Sequence, residues 1–249
     1  MKGIGVVAIV PARGGSKSLP RKNLRPLAGF PLLAWAIAAG RAAAAVSAVI
    51  VSTDDEEIAE VARRFGAETP FLRPAELAGD DTPDLPVFEH ALRWLERERG
   101  WTPELVVQLR PTSPFRPAGM VDEAVALLRA HAGADSLRAV TSPSQTPFKM
   151  WRLEGRRLAP LLGSFEEELF NAPRQRLAPV YWQTGHIDVV RPATILEQRS
   201  MTGRRIVPFV VDPRYAIDID TLEQLELAEW LLARDTVTLV RPEAARECA

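Results

Sequence analysis

Short apolar segments alternate with longer amphipathic segments along most of this chain. Apolar runs of four to eight residues that are rich in β-branched side chains are typical of buried strands, and the longer segments are typical of helices. The predicted strands cover residues 4–10, 48–53, 69–72, 104–109, 136–141, 187–190 and 206–211, and the predicted helices cover residues 31–45, 56–65, 84–98, 117–131 and 221–233. This alternation predicts βαβ units, and therefore an α/β fold with a mostly parallel sheet and helices on both faces.

Several residues predict where the helices begin. Pro31 suits the first position of a helix, where its missing N–H is not needed. Asp84 and Thr221 are good N-caps because their side-chain oxygens can accept a backbone N–H. The acids Asp54 and Asp55 suit the positive end of the helix that follows them.

The alternation stops between about residues 142 and 185. This stretch holds several prolines and aromatic residues without a regular period. Apolar aromatic residues in irregular structure are often interfacial, so we expect an inserted lid or a homodimer contact within a single domain of residues 1–249. The alternative is a long loop that packs on its own core.

Composition limits the classes of partner. The chain has 249 residues, and its 31 Lys+Arg nearly balance 32 Asp+Glu, so no overall field favours nucleic acid. The only cysteine, Cys248, argues against a disulfide framework, a cysteine-based metal site or a catalytic cysteine. The N-terminal apolar run is too short for a signal peptide or a membrane span. We therefore expect a soluble cytoplasmic protein that binds neither nucleic acid nor membrane.

A basic loop containing glycine directly follows the first predicted strand. Gly14, Gly15 and Ser16 let the backbone approach a ligand, and exposed N–H groups in such a loop form a concavity for anions. The four cations of this loop are Arg13, Lys17, Arg21 and Lys22. Like charges this close repel one another unless they are solvated or bind an anion such as a nucleoside triphosphate. We expect phosphate binding here, although the spacing matches neither a Walker P-loop nor G-x-G-x-x-G. The alternative is a solvated basic loop.

Two aspartates stand just before the last predicted helix. Asp218 and Asp220 are two positions apart, so in an extended chain their side chains point the same way. Two neighbouring carboxylates repel unless they share a cation, and Mg²⁺ takes one or two carboxylates together with substrate phosphates. The pair therefore predicts a magnesium site next to the basic loop. The alternative is helix capping by Asp220 with Asp218 solvated.

Weaker candidates lie at other predicted strand ends. Arg110, Thr112 and Ser113 offer a cation and two hydroxyls, which suit a carboxylate or a hydroxyl-rich ligand. His186 begins a predicted strand that should reach the same edge of the sheet. Because no nucleophile or cofactor fingerprint accompanies them, the sequence favours direct phosphoryl or nucleotidyl transfer, which needs mainly positioning and charge neutralisation.

A series of motifs over nearly the whole chain resembles a known family. The motifs are IVPARGGSKSLPRKN (residues 9–23), STD (52–54), LRPAELAGDDTPD (72–84), RPTSP (110–114), PRQRLAPVYWQTG (173–185) and IDIDT (217–221). In this order they resemble the motifs of CMP-sialic acid synthetases, the acylneuraminate cytidylyltransferases. The resemblance implies a Rossmann-like fold and a homodimer whose contact residues 142–185 help to form. It also implies an enzyme that converts CTP and a 2-keto sugar acid into a CMP-sugar and pyrophosphate.

The same resemblance implies roles for individual residues. The catalytic residues would be Arg13, Lys22, Asp218 and Asp220, and the two aspartates would bind Mg²⁺. The expected CTP-binding residues are Ala12, Arg13, Gly14, Gly15, Ser16, Lys17, Lys22, Asn23 and Arg73, of which the last two would help to place the cytidine. The expected sugar-binding residues are Arg110, Thr112, Ser113, Gln175, Tyr181, Thr184, Gly185 and His186.

The departures from the family pattern fall at the sugar end. Arg110 stands where the family commonly has Gln, Thr184 stands where it has Asn, and His186 and Asp188 add polarity beside Thr184. An arginine adds a charge-assisted donor, which indicates a different or differently held acid. We expect transfer to a sialic-acid-like nonulosonic acid, with legionaminic, pseudaminic, deaminated nonulosonic and octulosonic acids all open.

Three alternatives to this function remain at the level of sequence. One is another nucleotide-sugar pyrophosphorylase, such as a CMP-octulosonate synthetase. The second is a glycosyltransferase of similar design, which would use a finished nucleotide sugar and release no pyrophosphate. The third is a nucleotide-binding module without catalytic activity.

Overall fold

The computed structural model describes residues 2–17, 19–234 and 236–243, so Cys248 lies outside the described residues. The strands are β1 (Lys2–Pro11), β2 (Pro26–Leu27), β3 (Phe30–Pro31), β4 (Val46–Ser52), β5 (Trp101–Gln108), β6 (Ser136–Thr141), β7 (Trp151–Glu154), β8 (Arg157–Pro160), β9 (Trp182–Val190) and β10 (Ile206–Val210). The helices are α1 (Leu32–Ala42), α2 (Glu56–Arg64), α3 (Asp84–Arg99), α4 (Met120–Ala130), α5 (Pro192–Leu196) and α6 (Leu222–Ala233). The predicted α/β class is confirmed.

Six strands form one sheet in the order β10-β6-β9-β5-β1-β4. The two neighbours of β1 in this sheet, β4 and β5, run parallel to it, and β10 runs parallel to β6. Strand β9 is antiparallel to both of its neighbours, β5 and β6. The long segment between β6 and β9 contains no helix crossing back over the sheet, so the chain returns in the opposite direction. The sheet is therefore mostly parallel, with one reversed strand in its interior.

Apolar side chains on alternate positions of β1 bury both faces of the sheet. Ala8 and Val10 pack in a cluster with α1, α2 and α4, whereas Val7 and Ile9 pack in a second cluster with α3 and α5. All four side chains are fully buried. A strand covered on both faces reads as a continuous apolar run, which explains the run seen in the sequence.

Three local predictions need correction. Residues 69–72 form no strand, because only Leu72 makes an isolated bridge, to Thr53 at the end of β4, and a second bridge joins Ile50 to Glu68 just before this stretch. Pro31 is the N-cap of α1, one position before the helix. Asp84 does not cap α3, because the N-cap is Pro83 and the Asp84 carboxylate instead accepts hydrogen bonds from Gln108 and Arg110.

Two other helix starts agree with the sequence. Thr221 caps α6 in a reciprocal arrangement with Gln224, in which each side chain bonds the other's backbone N–H. The Asp55 side chain caps α2 by accepting from the N–H of Ile58 over 3.0 Å. The first of these caps fixes the point where the chain leaves Asp218 and Asp220 and enters α6.

The irregular stretch before β9 carries exposed apolar side chains. The β7–β8 hairpin presents Leu153 and Leu158, which are 75% and 53% exposed. The ring of Trp151, the first residue of β7, lies with its centroid 4.5 Å from that of Phe170, and the Phe165 ring lies 6.1 Å from Phe170. β9 begins at Trp182, earlier than predicted, so residues 182–185 belong to the sheet rather than to this stretch.

No helix within the described residues combines the length and apolar character needed to cross a lipid bilayer.

Candidate active site

Opposite charges hold the basic loop after β1 against the loop that precedes α3. The Arg13 guanidinium donates to the carbonyl oxygen of Gly79 over 2.7 Å and pairs with the Asp80 carboxylate over 3.1 Å. Lys17 pairs with the other oxygen of Asp80, and this hydrogen bond lowers the pKa of the Asp80 carboxyl. Asp80, which sequence reasoning did not single out, therefore faces two of the four predicted phosphate-binding cations.

Lys22 connects the basic loop to the aspartates before α6. Its Nζ lies 2.6 Å from Oδ1 of Asp220, although 198 positions separate the two residues. The Asn23 side chain donates to the carbonyl oxygen of Arg13 over 2.9 Å and so braces the loop. The structure thus brings the predicted phosphate loop and one of the predicted metal ligands into direct contact.

The turn at Gly14 is shaped by the end of β4. The Gly14 N–H donates to Oδ1 of Asp54 over 2.9 Å, and a Cβ at this position would lie 2.6 Å from Oδ2 of Asp55. This N–H is therefore engaged within the protein, contrary to the expectation of a free anion-binding group. Ala12 is buried, with its N–H bonded to the carbonyl of Ser52, whereas a Cβ at Gly15 would meet only open space.

Asp218 and Asp220 contact different partners. Asp218 accepts a hydrogen bond from Ser113 Oγ over 3.2 Å, whereas Asp220 is exposed and paired with Lys22. Between them, the Ile219 N–H donates to the carbonyl oxygen of Thr112 over 2.7 Å. This bond lays the segment of the aspartates against the turn after β5. The described part of the chain contains no group of three or more His, Cys, Asp or Glu residues suited to a metal ion.

A cleft of about 290 Å³ opens at the carboxyl ends of β1 and β5. One part of the cleft is shared with an adjoining cavity of about 340 Å³, and the shared lining residues are Arg13, Lys22, Asn23 and Asp80. The adjoining cavity is completed by Ser16, Lys17 and Asp220. The part that is not shared is lined by apolar residues, which include Leu77, Val87 and Pro111, and by polar ones, which include Arg73, Asp84 and Arg110. The cleft therefore combines a cationic part suited to phosphates with a part that offers apolar surface and a few fixed polar groups.

Arg73 lies in the wall between the cleft and β4. It is buried, and its Nε donates to Ser52 Oγ over 3.1 Å while another of its guanidinium nitrogens donates to the Ser52 carbonyl. Burial lowers the pKa of Arg73. Because the end of β4 fixes this guanidinium, its remaining N–H groups are pre-oriented for a ligand in the cleft.

Arg110 is not a free cation. It donates to Asp84 over 2.7 Å and to Asp188 over 3.1 Å, and Asp188 also accepts a hydrogen bond from Arg138 over 2.9 Å. Burial lowers the pKa of Arg110, but the two carboxylates outweigh this effect and raise it. The predicted extra donor for a sugar acid is therefore already neutralised. Asp188, with a side chain only 2% exposed, supplies much of this compensation.

Arg116 connects two backbone segments, β9 and the turn after β5, behind the cleft. Its guanidinium donates to the carbonyl oxygens of His186 over 2.6 Å, Arg110 over 2.8 Å and Gly185 over 3.3 Å. Burial lowers the pKa of Arg116 to about 9. Sequence reasoning missed this residue, and its position two residues after the RPTSP motif was the only available signal.

Gly185 is needed for the close approach of β9 to the turn after β5. A Cβ at this position would lie 2.3 Å from Ser113 Oγ and 3.4 Å from the Arg110 side chain. The adjacent Thr184 side chain is buried, and its hydroxyl has no partner among the described residues. Of the predicted sugar-binding residues, Arg110 and Thr112 line the cleft, and Ser113 lies behind them.

Three predicted sugar-binding side chains lie elsewhere. His186 is 1% exposed, and its Nε2 donates to the Tyr215 carbonyl over 2.7 Å, so its ring belongs to the core. Gln175 and Tyr181 line a separate cavity of about 270 Å³ beside Pro143. The single sugar site expected from the sequence is therefore not assembled within one cleft of this chain.

Comparison with known proteins identifies the family. Residues 7–158 match the family model described as cytidylyltransferase. The chain is 32% identical over 240 residues to a protein named CMP-N,N'-diacetyllegionaminic acid synthase from Legionella pneumophila, covering 94% of this chain and 99% of that protein. The chain belongs to the CMP-sialic acid synthetase family of cytidylyltransferases. Membership of this family confirms the expected nucleotidyltransferase activity.

A further relative and a solved structure agree with this family membership. An N-acylneuraminate cytidylyltransferase from Escherichia coli is 32% identical over 228 residues, which cover 90% of this chain and 51% of that protein. A structure of CMP:2-keto-3-deoxy-manno-octonic acid synthetase complexed with CTP superposes with a TM-score of 0.68 at 18% identity, covering 93% of this chain and all of that chain. The likeness to this solved structure confirms the fold.

The buried ring of His186 predicts a pH-dependent stability. Burial lowers its pKa from 6.5 to about 4. The unfolded chain therefore binds this proton at a higher pH than the folded chain does, and stability that is present above pH 6.5 is lost as the pH falls toward 4. At about 1.4 kcal/mol per pKa unit, His186 accounts for roughly 3 kcal/mol of this loss. Urea unfolding of wild type and His186→Gln between pH 7.5 and pH 4 should show a shallower decline in the variant.

The glutamine amide can also donate to the Tyr215 carbonyl, so the two proteins should differ less at pH 7.5 than at pH 4.5. Parallel stability curves over the whole range would show that His186 does not carry this pH dependence.

Proposed function

We propose that this cytidylyltransferase transfers the cytidylyl group of CTP to the anomeric hydroxyl of a 2-keto sugar acid and releases pyrophosphate. The observation that carries the proposal is that Arg13, Lys17, Lys22 and Asp220 line one cavity, which opens into a cleft with apolar and polar lining. Relatives named for diacetyllegionaminic and acylneuraminic acids favour a nonulosonic acid as the acceptor.

The cations of the cleft supply the electrostatics of this reaction. The hydroxyl oxygen of the sugar attacks the α-phosphorus, its proton passes to solvent water, and the bond from that phosphorus to the oxygen bridging to the β-phosphate breaks. Negative charge develops on the leaving pyrophosphate, which Arg13, Lys17 and Lys22 are placed to offset. Each of these side chains now pairs with an exposed or half-exposed carboxylate, and such pairs contribute little stability, so phosphate oxygens can replace the carboxylates at low cost.

Asp218 and Asp220 fit a magnesium ion by the chemistry of their donors. Carboxylate oxygens are ligands that Mg²⁺ prefers, and two of them leave the remaining positions to water and phosphate. When bound, Mg²⁺ would neutralise charge on the α-phosphate and the leaving group. Ser113 would hold Asp218 in place through its hydrogen bond. Replacement of the Lys22 contact by phosphate would release Asp220 for the ion.

The activity is tested by measuring pyrophosphate release with Mg²⁺ and CTP over a panel of 2-keto sugar acids, with ATP, GTP and UTP as controls. We expect release with CTP and a nonulosonic acid, and loss of release when Mg²⁺ is chelated. Preference for an octulosonic acid would correct the acceptor. Hydrolysis of a finished CMP-sugar without pyrophosphate formation would favour a glycosyltransferase, and CTP binding without turnover on any acid would favour a binding module.

Lys22 and its sequence neighbour offer a matched pair of variants. Lys22 lines both cavities, whereas Arg21 pairs with Asp55 and Glu57 and lines neither. Lys22→Ala should lower kcat/KM for CTP by about a hundredfold, as expected for the loss of one charged group at the reacting phosphates. Arg21→Ala, which removes the same charge from the same loop, should lower it by less than about threefold. Equal effects of the two variants would mean that only the net charge of the loop matters.

A homodimer formed through the β7–β8 hairpin is part of this proposal. The hairpin exposes Leu153 and Leu158 on directly paired positions, and the exposed Phe165 lies near Trp151 of the same hairpin. Apolar side chains grouped in this way are typical of interfaces. The placement of Gln175 and Tyr181 away from the cleft is explained if their cavity completes the sugar site of a second copy.

Light scattering should give twice the 27.5 kDa chain mass for the wild type and the single mass for the double variant Leu153→Asp, Leu158→Asp. Leu227→Asp is the matched control, because Leu227 is 46% exposed on α6, far along the chain from the hairpin. A monomeric wild type, or a double variant that stays dimeric, would contradict this interface.

A further inference from the structure

Asp84 places a carboxylate in the part of the cleft that is not shared with the adjoining cationic cavity. Leu77 and Val87 line this part together with polar side chains, among them Arg73, Asp84 and Arg110. Apolar surface with a few fixed polar groups suits a heteroaromatic ring, whose faces are apolar and whose edge forms hydrogen bonds. Since the phosphates require the cations of the shared part, the base of a bound nucleotide lies in this part.

Only one oxygen of the Asp84 carboxylate is engaged. Oδ2 accepts from Gln108 Nε2 over 2.8 Å and from Arg110 over 2.7 Å. Among the described residues, no hydrogen-bond donor reaches Oδ1, although the side chain lines the cleft and is 37% exposed. Asp84 therefore offers one fixed acceptor to a ligand.

The charges of the side chains bonded around this acceptor cancel. Arg110 is balanced by Asp84 and Asp188, and Asp188 in turn is shared with Arg138. An anionic group of the ligand gains nothing from these four side chains and would meet the Asp84 carboxylate. A neutral N–H or O–H donor is the ligand group that fits.

We propose that Asp84 determines the choice of base by accepting a hydrogen bond from the 4-amino group of cytosine. This inference rests on the proposed use of CTP. Cytosine presents that donor next to the acceptors N3 and O2, and carboxylates are known acceptors for it. Arg73, fixed by Ser52 on the same wall, donates to the acceptor side of the ring. Uracil in the same position presents a carbonyl oxygen to Asp84 and an N–H to Arg73, so both contacts become repulsive.

The test measures equilibrium binding of three nucleotides to the full chain with Mg²⁺ by calorimetry. The nucleotides are CTP, UTP and pyrimidin-2-one ribonucleoside triphosphate, which lacks the 4-amino group. Wild type should bind CTP at least about tenfold more tightly than the other two, as expected for a hydrogen bond to a charged group. In Asp84→Asn, the amide oxygen must face the donors Gln108 and Arg110, so its NH₂ faces the base. The ratio of CTP to UTP affinity should therefore fall by tenfold or more.

A second carboxylate of the cleft serves as the control. Asp80→Asn removes a charge at the phosphate end, so it should change the affinities for CTP and UTP by the same factor. An unchanged CTP to UTP ratio in Asp84→Asn would overturn the inference while leaving the proposed function intact. Binding of the pyrimidin-2-one nucleotide by wild type as tightly as CTP would also overturn the inference and leave the proposed function intact. This result does not depend on the folding of any variant. Failure of wild type to bind CTP at all would overturn the proposed function itself.

Discussion

The proposed phosphate site depends on the pairing of crowded cations with carboxylates at one edge of the sheet. Arg13 and Lys17 pair with Asp80, and Lys22 pairs with Asp220. These pairs are exposed or half-exposed, so they contribute little stability and can be exchanged for phosphate oxygens. Without them, the basic loop would be an unbalanced cluster of positive charge in the ligand-free protein. The protein's own acids thus balance the charge of the proposed phosphate site until a ligand replaces them.

A second group of charges behaves differently because it is buried. Asp188 lies between Arg110 and Arg138 with its side chain almost fully covered. Removing one member of such a group leaves an uncompensated charge in a low dielectric, which is strongly destabilising. Arg110 is therefore a structural part of the cleft wall rather than a cation that is free to bind a substrate. The same cleft therefore has exchangeable charges and fixed charges, and the difference follows from the burial of Asp188.

Close approaches of backbone complete the site. Gly14 and Gly185 stand where a Cβ would collide with Asp55 and Ser113, so a larger residue at either place would push apart two strand ends. Arg116 lies buried behind them and donates to three carbonyl oxygens of β9 and of the turn after β5. Backbone and buried side chains thus fix the distance between the segments that carry Ser113 and Asp218.

The sequence by itself determined the α/β class, most strands and helices, and the family, because apolar periodicity and short motifs are local. It also indicated that the loop at Arg13 to Lys22 and the aspartates before α6 belong together, since the carboxyl ends of parallel strands meet at one edge. Only the tertiary structure decided which charges are free. Asp80 and Asp84 line the cleft, Arg110 is paired with two carboxylates instead of being free for a ligand, and the His186 ring is buried in the core. These outcomes depend on contacts between residues far apart in the chain and on the reversed direction of β9, and no local pattern records either.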